Sequence, residues 1–114
     1  MTTAQVQGNL AEDRALRFLV DRGLTLIGRN YRIRQGEIDL VCRDGGVTVF
    51  VEVRSRSRQD FGGAAASIDA TKQRRLIAAA RHWLARHGER PCRFDCVLID
   101  GTDLTWLANA FTAD

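Results

Sequence analysis

The sequence contains little proline, lysine and cysteine, and it has no long hydrophobic run. Pro91 is the only proline and Lys72 the only lysine among 114 residues. The three cysteines form no disulfide framework, and Cys42 and Cys96 fit small core residues in a reducing compartment. No apolar run approaches the ~20 residues that span a bilayer, and the first residues do not resemble a secretory signal. We therefore expect a cytoplasmic protein with no membrane partner.

The composition fits one globular domain, which we expect to cover residues 1–114. Hydrophobic residues make up 45% of the chain and charged residues 27%, which is ordinary for a folded domain. The net charge is +3, and apart from Lys72 every basic residue is an arginine. Because arginine makes bidentate contacts with phosphate, this balance permits a nucleic-acid partner without establishing one.

The most informative segment, residues 36–58, has the pattern of a β-hairpin. Two strands rich in β-branched residues flank Asp44-Gly45-Gly46, which is a strong turn signal. A two-residue Gly45-Gly46 loop sets the register, so that Val41 faces Phe50, Asp39 faces Glu52, and Glu37 faces Arg54. An Asp44-Gly45 loop would instead place Glu37 opposite Glu52. Alternation then predicts an apolar opposite face made of Ile38, Leu40, Cys42, Val49, Val51 and Val53.

Two carboxylates facing each other across this hairpin need an explanation. Directly opposed like charges in a sheet cost roughly 0.2–1 kcal/mol. A divalent cation between Asp39 and Glu52 would convert the repulsion into chelation, and Mg²⁺ is commonly held by one or two carboxylates with water and phosphate oxygens. The alternatives are that both acids are solvated at an edge, or that one of them pairs with a nearby arginine.

The rest of the chain predicts two helices and three further strands. Helices are expected at about Thr3–Arg22 and Asp69–His87. The first has an apolar stripe of Leu10, Ala11, Ala15, Phe18 and Leu19, and the second one of Leu76, Ile77, Ala80, Trp83 and Leu84. Further strands are expected at Leu24–Arg34, Arg93–Asp100 and Leu104–Leu107. The order αβββαββ indicates an α/β domain with a mixed β-sheet flanked by two helices.

Several basic residues surround the predicted acid pair. Arg32 and Arg34 precede it, Arg56 and Arg58 alternate with serines after it, and Arg74 lies off the apolar stripe of the second helix. These side chains are either solvated edge charges or contacts for a nucleic-acid backbone. Lys72 differs because it lies one turn before Leu76, which directs its ammonium towards the sheet.

The chain resembles the YraN family of predicted endonucleases, within the PD-(D/E)XK nuclease superfamily. The resemblance covers nearly the whole chain. It depends on Gly8-Asn9 with Glu12, on the segments 29–32, 36–40 and 50–56, on Phe61-Gly62, on Lys72, and on Arg93-Phe94-Asp95. It implies a restriction-endonuclease-like fold similar to that of Holliday-junction resolvases. Since resolvases act as dimers, it also implies a homodimer.

The resemblance assigns roles to individual residues. It implies that Asp39, Glu52 and the backbone carbonyl of Val53 bind Mg²⁺ or Mn²⁺, and that Glu12 contributes to the site. This chain departs from the superfamily at Arg54, where the motif has a lysine. Arginine is always protonated and cannot act as a base, although it can stabilise charge on a phosphate. Lys72 is the candidate to replace that lysine. The implied activity is hydrolysis of DNA phosphodiesters, with branched or structured DNA as the substrate; the alternative is a catalytically weak or inactive nucleic-acid-binding module.

Overall fold

A computed structural model describes residues 3–55 and 68–113, with side chains from residue 9 onward. The described elements are α1 (Thr3–Asp21), β1 (Thr25–Ile33), β2 (Gly36–Asp44), β3 (Val47–Ser55), α2 (Ala70–His87), β4 (Cys92–Asp100) and β5 (Asp103–Phe111). This is the predicted order, and each helix boundary lies within one residue of the prediction. The finding supports a mixed α/β domain with a five-stranded sheet and two helices.

The five strands form one sheet in the order β1-β2-β3-β4-β5. Neighbouring strands are antiparallel except β3 and β4, which run parallel and are separated in the chain by α2. A parallel pair requires a long crossover connection, and α2 lies within that connection. The consequence for function is that the carboxyl end of β3 lies close to the beginning of α2.

The predicted hairpin register is confirmed up to the positions just before the two acids. Asp44 pairs with Val47, Val41 with Phe50, and Leu40 with Val51, as a Gly45-Gly46 loop requires. Gly45 has φ +59°, a left-handed conformation that glycine adopts without steric cost. The β2–β3 pairing ends at Leu40 and Val51, so Asp39 and Glu52 occupy the next position on each strand.

The prediction that Ile38 shares a face with Leu40 and Cys42 is wrong. Leu40 packs in the cluster under α1, whereas Ile38 packs with residues of α2. The neighbouring strand shows the same change of side: Arg29, the partner of Leu40, contacts α1, and Tyr31, the partner of Ile38, contacts α2. Asn30 lies between them with φ +54°. The side-chain alternation is therefore interrupted in both strands, at the level of Asp39.

The core lies on both faces of the sheet. Under α1 it contains Ala15, Leu19, Leu40, Cys42, Val49, Val51 and Val97, and under α2 it contains Ile38, Val41, Phe50, Leu76, Ala80, Trp83 and Phe94. Most of the predicted helix stripes are buried, but Leu10 is 62% exposed. Because α1 contacts the sheet through Ala11, Ala15 and Leu19 at four-residue spacing, Leu10 lies on the flank of the helix.

The last strand is longer than the sequence pattern predicts. It extends to Phe111, which pairs with Phe94 and stacks on its ring. A bulge with Asn109 at φ +54° interrupts the pairing. The N–H of Asn109 and the indole Nε1 of Trp106 both donate to the fully buried carboxylate of Asp95, at 2.8 and 2.9 Å. These two bonds attach β5 to β4 at a point where regular pairing fails.

Among the described residues, neither helix is long and apolar enough to cross a membrane.

Candidate active site at the carboxyl end of the hairpin

Four elements bring the predicted catalytic side chains together where β2 begins and β3 ends. The charges that act on Asp39 include those of Glu12 and Arg54, and the charges that act on Glu52 include those of Asp39, Arg54 and Lys72. Glu12 belongs to α1, Asp39 to β2, Glu52 and Arg54 to β3, and Lys72 to α2. All five residues predicted to take part in catalysis therefore lie in one region.

Asp39 is held in place by the backbone of the neighbouring strand. The N–H of Val53 donates a hydrogen bond of 2.8 Å to Oδ2 of Asp39. Burial raises the pKa of Asp39 to about 6, and the carboxylates of Glu12 and Glu37 add to the increase. The bond from Val53 opposes that increase, because it stabilises the ionised form.

Glu52 is a second carboxylate whose ionised form is destabilised. Its side chain is 17% exposed. Burial raises its pKa to about 7, the charge of Asp39 adds to the increase, and Arg54 and Lys72 oppose it. The closest approach of Arg54 is 3.8 Å, from Nη1 to Oε1 of Glu52, which is too long for a hydrogen bond. Glu52 is therefore close to a guanidinium but is not bonded to it.

Glu12 reaches this region through contacts with β1. Its Oε1 lies 3.3 Å from Nη2 of Arg29. The side-chain amide of Asn30 is oriented so that its nitrogen can donate to Glu12. This nitrogen lies 3.2 Å from Oε1 and 3.3 Å from Oε2 of Glu12. The left-handed backbone of Asn30 thus lies beside the helix acid. Sequence periodicity could not show this approach, because it depends on how α1 packs across β1.

The donor atoms of the site fit a hard divalent cation that retains water ligands. Asp39, Glu52 and the carbonyl of Val53 offer only oxygen, the ligand that Mg²⁺ and Mn²⁺ prefer. Within residues 9–55 and 68–113, no three His, Cys, Asp or Glu side chains are arranged to hold a metal. The residues thus fit an ion coordinated by two carboxylates and completed by water or phosphate, and they do not form a complete protein cage.

A cavity of about 260 Å³ lies beside Glu52. The sheet contributes Glu37, Glu52 and Arg54 to its lining, and the beginning of α2 contributes Asp69, Thr71, Lys72 and Arg75. Asp69 caps α2, because its side chain accepts a hydrogen bond of 2.8 Å from the N–H of Lys72. Lys72 is half-buried and lines the cavity together with residues of the sheet. It therefore faces the sheet side of the helix, as its spacing from Leu76 predicts.

The predicted nucleic-acid contacts are only partly near this cavity. Arg32 is 71% exposed and pairs with Glu37 at 3.2 Å, and Arg34 is exposed in the β1–β2 turn. Arg74 is exposed on α2, where Nη2 donates to Thr71 at 3.1 Å. It does not line the cavity. Arg56 and Arg58 lie outside the described residues. The contacts of Arg32, Arg34 and Arg74 with nucleic acid stay a prediction.

Arg75, rather than Arg74, lines the cavity, and sequence reasoning did not single it out. The sequence signal that could have indicated it is its spacing from Lys72, whereas its contact with Gly36, directly before Glu37, is visible only in the fold. A Cβ atom at Gly36 would lie 1.9 Å from the carbonyl oxygen of Arg75, so only glycine allows α2 to approach the beginning of β2 this closely. Its spacing of three residues from Lys72 also places it on the same side of the helix.

A larger cavity, of about 440 Å³, lies elsewhere. Its lining includes Ile68, Gln73, Trp106, Leu107 and Phe111, and none of the described residues that line it is acidic or basic. Such a lining offers no group that could exchange a proton or bind a cation. The smaller cavity beside Glu52 is therefore the better candidate for chemistry.

Comparison with known sequences places the chain in a family. The model of the uncharacterised protein family UPF0102 matches residues 11–99, which include Glu12, Asp39, Glu52 and Lys72. The chain belongs to the UPF0102 family. A UPF0102 protein of Dechloromonas aromatica is 59% identical over 112 residues, covering 98% of this chain and 93% of the relative. Another, from Ralstonia nicotianae, is 60% identical over 114 residues, covering 95% and 88%. The UPF0102 match therefore covers β2, β3 and α2 completely and α1 from residue 11 onward, which are the four elements that build the site.

Proposed function

We propose that this UPF0102 protein is a metal-dependent endonuclease that hydrolyses DNA phosphodiesters. The proposal includes a restriction-endonuclease-like fold and the affiliation with YraN nucleases that the sequence motifs imply. The observation that carries it is the convergence of Asp39 and Glu52, two carboxylates that are largely buried and close enough for each to act on the other's pKa, with Glu52 lining a cavity. Burying neighbouring carboxylates without a cation is costly, and bound Mg²⁺ or Mn²⁺ would remove that cost.

The metal would be held by Asp39, Glu52 and the carbonyl of Val53. When bound, such an ion supplies an activated water and polarises the phosphate. The Val53 N–H fixes one oxygen of Asp39, and the other oxygen accepts no hydrogen bond from the described residues. Glu12 adds negative charge beside Asp39 and so strengthens the preference of the site for a cation.

The cationic side chains stabilise negative charge on the phosphate. Arg54 lies close to Glu52 without bonding to it, so its guanidinium is available to a phosphate oxygen. It cannot accept a proton from water. Lys72 faces Glu52 from α2, where its ammonium can bind a phosphate or orient a water molecule.

Further basic residues would bind the DNA backbone. We assign this role to Arg32, Arg34, Arg56, Arg58 and Arg74. Binding through arginine and phosphate releases counterions, so affinity should fall steeply as salt increases. Branched or structured DNA as substrate, and a homodimer as the active unit, follow from the resemblance and belong to the same proposal. A cytoplasmic location stays a prediction of the sequence.

The second candidate function is a nucleic-acid-binding module without catalysis. The observation that favours it is Arg54 at the lysine position of the nuclease motif, 3.8 Å from Glu52. A permanently protonated guanidinium beside the metal site would weaken cation binding and could not act as a base. In that case DNA binding persists in EDTA, and calorimetry detects no saturable binding of Mg²⁺ or Mn²⁺.

The deciding experiment compares cleavage of linear, nicked, flap and four-way DNA with Mg²⁺, Mn²⁺ or EDTA. We expect cleavage only with metal, reduced on the order of a hundredfold or more in Asp39→Asn and Glu52→Gln. Asp103→Asn, which alters an exposed acid at the beginning of β5, is the matched control and should cleave normally. Cleavage that survives in both site variants would show a contaminating nuclease and contradict the proposal. Absence of cleavage on all four substrates would favour the binding module.

A further inference from the structure

The wall of the cavity that α2 forms carries two cations on one side of the helix. Lys72 and Arg75 are three residues apart, so their side chains lie next to each other, and Thr71 adds a hydroxyl to the same wall. The backbone of Arg75 is fixed against Gly36, at the beginning of β2. These groups therefore have a defined position relative to the acids on the sheet.

Two of the three acids that line the cavity are engaged by groups other than these two cations. The carboxylate of Asp69 caps α2, and Glu37 pairs with Arg32 at 3.2 Å. Across residues 9–55 and 68–113, no carboxylate oxygen lies within 4.0 Å of the charged nitrogens of Lys72 or Arg75. Two cations without a directly bonded acid among these residues, in a concave site with a hydroxyl, form a site suited to a phosphate group.

We infer that Lys72, Arg75 and Thr71 bind a phosphate of the nucleic acid next to the phosphate that is cleaved. The inference rests on the proposed function for the identity of the cleaved bond. Arg54 lies 3.8 Å from the carboxylate of Glu52, whereas Arg75 lies on the α2 wall of the cavity with its backbone against Gly36. Arg54 therefore serves the scissile phosphate, and Arg75 lies further out, where the neighbouring phosphate of the same strand passes. Lys72 lies between the two positions.

This phosphate site can be tested without any cleavage. Inorganic phosphate is titrated in EDTA at low salt, and binding is followed by phosphorus NMR. We expect saturable binding that weakens about tenfold in Lys72→Met and in Arg75→Met, because each removes a charge-assisted hydrogen bond. Arg81→Met, which alters an exposed arginine on the same helix, should bind within about twofold of the wild type. Absence of saturable binding, or equal weakening in all three variants, would overturn the inference.

A second measurement separates this inference from the proposed function. Cleavable DNAs are made with a neutral methylphosphonate linkage on the 5′ side of the scissile phosphate, on its 3′ side, or on both sides. We expect one of these positions to slow wild-type cleavage about tenfold and to have little further effect in Arg75→Met. Full cleavage with both linkages neutral would overturn the phosphate site while leaving the nuclease intact. Phosphate binding with the expected variant pattern but without any cleavage would instead support the site in a binding module, with the endonuclease rejected.

Discussion

The N–H of Val53 donates to Oδ2 of Asp39 at 2.8 Å, immediately beyond the last regular pair of the β2–β3 hairpin. At this position the carboxylate of Asp39 accepts a hydrogen bond that a backbone carbonyl accepts in regular strand pairing. The bond fixes the orientation of the carboxylate and lowers its pKa, which burial and the neighbouring acids raise. The same residue is therefore needed for local structure and for the proposed metal site.

The first prediction separates these two roles of Asp39. Asp39→Asn keeps an oxygen acceptor for Val53 and removes a destabilised charge, so it should be at least as stable as the wild type at pH 8. Asp39→Ala removes the acceptor as well and should be less stable than Asp39→Asn by about 1–2 kcal/mol. Urea denaturation in EDTA measures both values. Equal stability of the two variants would show that the Val53 bond contributes nothing.

The second prediction concerns pH. The pKa values of Asp39 and Glu52 are raised to about 6 and about 7, so the folded state binds more protons than the unfolded state between about pH 4 and pH 7. The free energy of unfolding should therefore fall as pH rises through this range, by roughly 2–4 kcal/mol in EDTA. The decrease should be much smaller in the double variant Asp39→Asn/Glu52→Gln. A wild type that becomes more stable than this variant as pH rises would contradict the assignment.

The third prediction concerns the contact between β2 and α2. Gly36→Ala places a methyl group against the backbone carbonyl of Arg75. Because both segments are backbone of regular elements and cannot move apart without distorting them, the variant should destabilise the fold by at least about 1–3 kcal/mol. Gly46→Ala is the matched control, because a Cβ atom at Gly46 meets nothing within 4 Å and its φ is not positive. Thermal unfolding of the two variants measures the difference. A control that loses as much stability as Gly36→Ala would refute the steric explanation.

The fourth prediction concerns the buried carboxylate of Asp95. It accepts hydrogen bonds from Arg93, Trp106 and the backbone of Asn109. Asp95→Ala leaves the donors of Trp106 and Asn109 without this acceptor and leaves Arg93 with Asp44 alone, so it should cost about 3–5 kcal/mol of stability. Trp106→Phe removes one donor and keeps most of the ring, so it should cost about 1–2 kcal/mol. Denaturant titration tests the order of the two effects, and a smaller loss for Asp95→Ala would contradict it.

The sequence predicted those features that depend on neighbouring residues. The Asp44-Gly45-Gly46 segment predicted the hairpin and two possible registers, and the structure has the one that a Gly45-Gly46 loop sets. The spacing of Leu76, Ala80 and Leu84 was enough to predict the buried side of α2 and the direction of Lys72. In each case the pattern lies within one element or one tight turn.

Features that depend on distant segments could not be predicted. Ile38 changes side at the level where Asn30, on the neighbouring strand, has a left-handed conformation. The extent of β5 depends on Phe94 and on the carboxylate of Asp95, and its own sequence does not alternate regularly. Arg75 reaches the cavity because α2 packs against Gly36. These are tertiary contacts that local periodicity does not encode.

The arrangement of the hairpin has a consequence for how the site assembles. Asp39 and Glu52 belong to strands joined by a two-residue loop, so these acids meet through a contact of low sequence separation. Lys72 belongs to α2, which lies in the connection between the parallel strands β3 and β4. The pairing of these strands closes a much longer loop. Hydrogen exchange should accordingly show the acidic half of the site protected earlier in refolding than the basic half.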